Sequence, residues 1–201
     1  VVDNAGTGVV WQLNGDWGRG NYAGTGNAAA VDSDESGAVP YDTELISPVF
    51  DATEGLALTF LVNYQAFLPE NDQFFDVDIS TDDGATWTNA LRLDDDTPPG
   101  GLFVENGGVL QSIALDPYVD AGDTFQVRFR YYTTSDGFDW YAQIDDIRIV
   151  EEFEYVAFSP AADTVAPGDT LDVLYEIDAT GLPGGTYELA YTFATNDPQV
   201  D

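Results

Sequence analysis

Apolar residues recur at every second position through most of the chain, and no stretch sustains the three-and-four spacing of an amphipathic helix. Leu56, Leu58, Phe60, Val62 and Tyr64 fall on one face of a predicted strand. Phe75, Val77 and Ile79 mark an inward face in the next, with Asp76, Asp78 and Ser80 outward. Phe125, Val127, Phe129 and Tyr131 repeat the pattern opposite Gln126, Arg128 and Arg130. A strand over 144–150 places Ile147 and Ile149 inward; strict alternation puts Asp145 on their side and Asp146 with Arg148 on the other. Turns rich in Gly, Asp, Asn and Pro, such as residues 94–101, separate these runs. The pattern predicts an all-β chain folded as an antiparallel sandwich.

The pattern breaks near 151–155, which suggests two domains, 1–152 and 153–201. Beyond the break come Ser159-Pro160 and Ala166-Pro167-Gly168-Asp169. A strand follows with Leu171, Val173, Tyr175 and Ile177 inward, then a turn over 181–185 and a strand carrying Tyr187, Leu189, Tyr191 and Phe193. Three or four strands fall short of the roughly seven of an independent sandwich. The second domain is therefore expected to be incomplete, its remaining strands lying outside this piece or coming from a neighbouring copy by strand addition.

Composition narrows the function. The 201 residues carry 37 acidic and 5 basic side chains, a formal net charge of -32, and no histidine or cysteine. All the basic residues are arginines. Without histidine there is no Ser-His or Cys-His nucleophile and no histidine-held zinc or iron. Without cysteine there is no thiolate chemistry, and without lysine no P-loop or Schiff base. The chain reads as non-catalytic. Its charge would repel nucleic-acid phosphates and anionic lipids, and favours solubility in a saline medium or the binding of hard cations. The longest apolar run, near 56–62, is far too short to insert in a membrane. Absence of an initiator methionine suggests a piece of a longer precursor.

The strongest local signal is Asp32-Ser33-Asp34-Glu35-Ser36-Gly37, followed by Asp42. Oxygen-bearing side chains at alternate positions before a glycine resemble the opening of an EF-hand loop, but its twelfth position is Thr43 rather than glutamate. Calcium here would need distant ligands. Asp145, read as inward and therefore needing a partner, is one candidate. The alternatives are a solvated acidic turn for the first group and a carboxylate capping loop amides for Asp145. Ser80-Thr81-Asp82-Asp83-Gly84-Ala85-Thr86-Trp87 matches the Asp-box turn, S-x-D-x-G-x-T-W, and reads as a rigid hairpin rather than an active site. Trp11, Trp17, Tyr22, Tyr131, Tyr132, Phe138, Trp140 and Tyr141 offer a sugar-stacking surface or, more simply, packing. With so many acids, a close carboxylate pair says nothing of glycoside hydrolysis. Arg128, Arg130 and Arg148 read as cross-strand partners of acidic neighbours.

The run 29–37, then Asp42-Thr43-Glu44-Leu45-Ile46-Ser47-Pro48, the Asp box, and Trp140-Tyr141-Ala142-Gln143-Ile144-Asp145-Asp146-Ile147 together resemble the jelly-roll accessory domains of secreted bacterial peptidases and surface proteins. These are similar to MAM and cleaved-adhesin domains. Over roughly 9–150, the resemblance implies a concanavalin-like jelly roll, an extracellular or cell-surface location and structural calcium. Carried over residue by residue, it points to Asp32, Asp34, Asp42, Asp145 and Ser36 as ligands. Residues 155–198 resemble the immunoglobulin-like repeats of bacterial surface proteins, through Val165-Ala166-Pro167-Gly168-Asp169, residues 179–187 and Thr195-Asn196-Asp197-Pro198.

The resulting expectation is a calcium-stabilised adhesive or structural module in a secreted or surface assembly. Its expected partners are other protein domains or subunits and glycans, with no nucleic acid and no membrane insertion. A carbohydrate-binding module, a peptidase accessory domain and a filament subunit completed by strand exchange are the rival readings.

Overall fold

The computed structural model describes residues 1–67, 72–100, 104–105, 107–134, 140–151, 156–159, 164, 170 and 172–177. The chain divides into two compact units, Val1–Glu152 and Phe153–Asp201. In the first unit the strands run β1 (Val2–Asp3), β2 (Gln12–Leu13), β3 (Ala29–Asp32), β4 (Asp42–Ile46), β5 (Phe50–Asp51) and β6 (Leu56–Gln65). They continue with β7 (Gln73–Ser80), β8 (Thr88–Leu93), β9 (Val109–Ala114), β10 (Thr124–Thr133) and β11 (Tyr141–Glu151). A short 3-10 turn, Asn14–Trp17, follows β2. Among the described residues no helix is long and apolar enough to cross a membrane.

Two antiparallel sheets pack face to face as a jelly-roll sandwich. One has the order β1-β4-β10-β7-β8, with β5 also on β10; the other has the order β2-β3-β11-β6-β9. Neighbours in each sheet are mostly distant in sequence, so long connections cross between the layers, as a jelly roll requires.

The alternation explains the layers. Leu58, Phe60, Val62 and Tyr64 of β6 face Phe75, Val77 and Ile79 of β7 and Val127, Phe129 and Tyr131 of β10 in one buried cluster. Phe60 meets Phe129 edge-on at 5.2 Å, and Tyr41 stacks on Tyr131 at 4.4 Å. Each such side chain contributes about 1.5–3 kcal/mol by leaving water.

Some positions depart from the pattern. Asp76, Asp78 and Ser80 lie on the outer side of β7 as expected, yet they too are buried, the two aspartates beneath bonded arginines. Trp11, Tyr131 and Tyr141 are core or sheet-buried, so they present no stacking surface; Phe138 lies outside the described residues.

In the second unit, β12 (Val156–Ser159) pairs antiparallel with β13 (Leu174–Ile177). Tyr175 and Ile177 were expected to face inward but are exposed, because among the described residues this two-strand sheet has no covering layer. Leu171, the turn at 181–185 and the strand at 187–193 lie outside the described residues.

Candidate functional site

Asp32 ends β3, and the chain turns at once over Ser33–Gly37. The turn is fixed by backbone chemistry: the Ser33 and Asp34 amides donate to the Trp140 carbonyl, and the Glu35 amide donates to Asp32 Oδ1 at 2.9 Å. The Ser36 hydroxyl donates to the Asp32 carbonyl at 3.0 Å, and Gly37 takes a positive φ of 76°. The remaining charge is met by Arg19. Its Nε donates to Asp32 Oδ2 at 2.7 Å and its Nη2 to Asp34 Oδ2 at 2.6 Å, with Glu35 at 3.6 Å. Asp32 is only 1% exposed, so this cation neutralises a carboxylate that water cannot reach. Burial acts to lower the Arg19 pKa, but bonding to Asp32 and Asp34 raises it overall.

Arg19 is itself held in place. Gly18 closes the 3-10 turn in the left-handed conformation. Asn14 then clamps the loop, receiving the Ala28 amide on Oδ1 at 2.8 Å and donating through Nδ2 to the Arg19 carbonyl at 2.9 Å.

Asp42 sits in the other sheet, on β4. Both its oxygens accept from Arg130, from Nε and Nη2 at 2.8 Å each. Burial works against the charged form of Asp42, but Arg130 outweighs it and the pKa is lowered.

Asp145 differs from the simple alternation. Ala142 and Ile144 enter the core, so Tyr141, Gln143 and Asp145 point out from the other side of β11. A bulge then shifts the register between Asp145 and Arg148, with Asp146 at φ 49°. That extra residue flips the phase: Ile149 packs on the core, while Ile147 is 44% exposed. Asp145 therefore faces the loop at 21–25. Its Oδ2 accepts from Asn21 Nδ2 at 2.8 Å and the Thr25 amide at 3.1 Å, and its Oδ1 accepts from the Asp146 amide at 2.8 Å.

The five expected ligands thus fall into three places. Asp32, Asp34 and Ser36 share one turn, Asp42 belongs to an ion pair on the opposite sheet, and Asp145 caps a loop. β11 does run beside β3, but Tyr141 stands opposite Asp32, and Asp145 lies four residues further along, about 13 Å of strand. Among the described residues no three acidic side chains converge so as to hold a metal. The set does not fit one shared calcium centre, and an ion at the Asp32 turn would have to displace Arg19.

A polar network on the outer side of the same sheet escaped sequence reasoning. The Gln143 amide receives the Tyr22 amide at 2.7 Å and donates to the Gly20 carbonyl at 3.0 Å. Asn63 Nδ2 donates to the Tyr22 and Val104 carbonyls at 3.2 and 2.9 Å, and the Val104 amide donates to Gln65 Oε1 at 3.0 Å. Tyr141 Oη donates to the Val104 carbonyl at 2.7 Å. Asn63, Gln65 and Gln143 are fully buried. These side chains fasten two loops over the sheet; in sequence they look like ordinary outward polar positions.

The outer side of the other sheet is a charge ladder. Arg92 forks onto Asp76 at 2.8 and 2.7 Å and also meets Tyr132. Arg128 bridges Asp78 and Glu44 and lies 4.5 Å over the Trp87 ring. Trp87 closes the Asp box, in which Asp82 receives the Thr86 amide and hydroxyl at 2.8 and 2.6 Å. The Arg128 and Arg130 pairings are the cross-strand ones that the alternation predicts, whereas Arg148 stands opposite Thr59 and its ion pair, at 3.5 Å, is with Asp146 of its own strand.

With both outer sides, the acidic turn and the strand order in view, comparison with solved structures is decisive for the architecture. The sandwich is similar in fold to cleaved adhesin domains. The K1 cleaved adhesin domain of Lys-gingipain from Porphyromonas gingivalis W83 is 22% identical, covering 74% of this chain and 88% of its own, with a TM-score of 0.53. The K3 domain from the same strain is 20% identical over 74% and 88%, at 0.52. The K2 domain of Lys-gingipain is 20% identical over 74% and 86%, at 0.51. No protein-family model and no curated protein match the chain. The likeness to cleaved adhesin domains is one of fold.

Proposed function

We propose that the chain is a non-catalytic adhesive or binding module of a secreted or cell-surface protein, engaging other protein domains. The observation that carries this reading is the likeness in fold to cleaved adhesin domains, found in a chain without histidine, cysteine or lysine. The described carboxylates support it. Asp32, Asp76, Asp78 and Glu44 are buried against arginine, and Asp96 receives the Ala66 amide at 2.9 Å. Carboxylates so engaged tie strands and loops together.

Calcium belongs to the same proposal as an offset to the net charge of -32, acting at separate acidic loops and not at one five-residue centre. The immunoglobulin-like character of 153–201 and attachment to a peptidase are further parts of it; an experimental structure of the second unit tests the first, and sequencing of the whole gene tests the second.

The direct test coats beads with the chain and presents them to arrays of immobilised proteins and glycans, with intact mass read on whatever is retained. Capture of protein spots with unchanged mass is expected. Cleavage or turnover of a captured molecule overturns the non-catalytic reading, and retention on glycan spots alone overturns the choice of protein partner.

A further inference from the structure

Three of the chain's five arginines stand on the outer side of the β1-β4-β10-β7-β8 sheet, so in a chain at -32 this face is close to neutral. Arg92, Arg128 and Arg130 meet Asp76, Asp78, Glu44 and Asp42 there. Aromatic rings stand among them. Tyr132 and Phe74 are register partners on β10 and β7, with ring centroids 5.3 Å apart. The Arg92 guanidinium lies 4.9 Å over the Phe74 ring, and that of Arg130 lies 4.2 Å over Tyr132. Both rings are half-buried, so each still reaches solvent. The Trp87 ring lies against Arg128, four residues and about 13 Å along β10 from Tyr132.

The arginines are locked in place but keep donors to offer. Asp76 and Asp42 engage Nε and Nη2 of Arg92 and Arg130, and Tyr132 Oη accepts a further bond from Arg92 Nη2 at 2.7 Å. The Nη1 group of each remains to donate outward, from side chains 47% and 29% exposed.

We propose that this face binds a neutral glycan, a short run of sugar rings laid along β10 between Tyr132 and Trp87. Adjacent hydroxyl oxygens of a sugar accept from the two N–H groups of an Nη1, while its C–H face packs on the half-buried rings. The Arg92 and Arg130 side chains are held before the ligand arrives, so little rotamer freedom is lost on binding. Charge excludes the other ligand classes. An anionic chain is repelled by the protein as a whole. A cationic one meets carboxylates already paired with arginine, of which Asp76 and Asp78 lie buried. This glycan site goes beyond the protein-binding reading and stands or falls separately from it.

The test follows amide resonances of the full chain during titration with cellohexaose and mannohexaose at physiological ionic strength, with hexagalacturonate as an anionic chain of equal length. At least one neutral hexamer is expected to bind and to shift amides of Phe74, Arg92, Arg130 and Tyr132, with hexagalacturonate about tenfold weaker. Arg92→Lys keeps a cation beside the buried Asp76 but loses the planar fork, and Phe74→Leu keeps apolar bulk but loses the ring. Each should weaken binding about tenfold. Arg148→Met, on the other sheet, should leave it unchanged. Silence of both neutral hexamers, equal binding of the uronate, shifts confined to other surfaces or two unaffected face variants each overturns the site. Hydroxyl-radical footprinting that finds Phe74, Trp87 and Tyr132 shielded in the free chain shows the face covered by the chain itself and overturns it too. Protein capture that is lost in Arg92→Lys, with the sugars silent, assigns the face to a protein instead. Silent sugars with that capture intact sink the glycan site alone and leave the protein-binding module standing.

Discussion

Asp145 Oδ2 accepts a 2.8 Å hydrogen bond from Asn21 Nδ2 across 124 positions of sequence, and so ties the 21–25 loop to the middle of β11. The same oxygen receives the Thr25 amide, while Asn21 Oδ1 receives the Ala23 and Gly24 amides at 3.1 and 2.7 Å. Removing the carboxylate in Asp145→Ala leaves one partly buried donor, Asn21 Nδ2, and the exposed amides of Thr25 and Asp146 without their acceptor, which costs roughly 1 kcal/mol. Urea denaturation should show that loss. Amide exchange should accelerate at Thr25 while Ile144, held by both neighbouring strands, stays slow. Unchanged protection at Thr25 would show that the loop is held by something else.

Arg19 is the one cation of the Asp32 turn among the described residues, and its removal isolates a buried negative charge. Arg19→Gln should destabilise the chain by roughly 3–5 kcal/mol, the usual result of breaking a buried pair from one side. The vacated position also separates two ideas about calcium. If Asp32 and Asp34 can ligate it, millimolar calcium will raise the melting temperature of Arg19→Gln more than that of the wild type, and EDTA will reverse the gain. No calcium response in either protein would remove both residues as ligands.

The sandwich was legible because its inner faces obey strict alternation. Leu58, Phe60 and Val62, or Phe75, Val77 and Ile79, can bury only on one side of a pleated strand. The candidate site was less legible for three physical reasons. The bulge at Asp146 is invisible to a period-two reading, so Asp145 was placed on the wrong face of β11. The ion pair between Arg19 and Asp32 joins a loop to a strand end, with no spacing rule to announce it. Asn63, Gln65 and Gln143 were indistinguishable from solvated positions, because what buries them is a pair of loops from elsewhere in the chain.

The Asp box supplies a pH prediction. The Thr86 hydroxyl, the Thr86 amide and the Ser80 hydroxyl hold the Asp82 carboxyl down to about 2, below its ordinary 3.8. A group depressed by folding stabilises the fold above its unfolded pKa and loses that contribution as pH falls through its folded pKa. Asp82→Asn should therefore melt below the wild type by a constant margin at neutral and mildly acidic pH. That margin should shrink from about pH 4 downward and nearly vanish by pH 2. Taking the difference between the two proteins cancels the relief of repulsion that acid brings to both. A margin unchanged down to pH 2 would mean that the carboxylate's charge does not hold the turn.

Salt should stabilise this protein, and the arrangement of its arginines says why. The pairs of Arg128 with Asp78 and of Arg19 with Asp32 lie largely out of water, with side-chain exposures of 12% and 6%, and 14% and 1%. Salt screens such pairs weakly, whereas it acts fully between exposed carboxylates, whose repulsion dominates a chain at -32. Raising sodium chloride from 0.1 to 1 M shortens the screening length from about 10 Å to about 3 Å. The melting temperature should rise steadily over that range. The exposed Arg148, 3.5 Å from Asp146, is the internal control: Arg148→Met should change stability by less than about 1 kcal/mol at either salt concentration. A melting temperature that falls with salt would instead show that the arginine ladder, and not repulsion among the acids, governs the electrostatic balance of the fold.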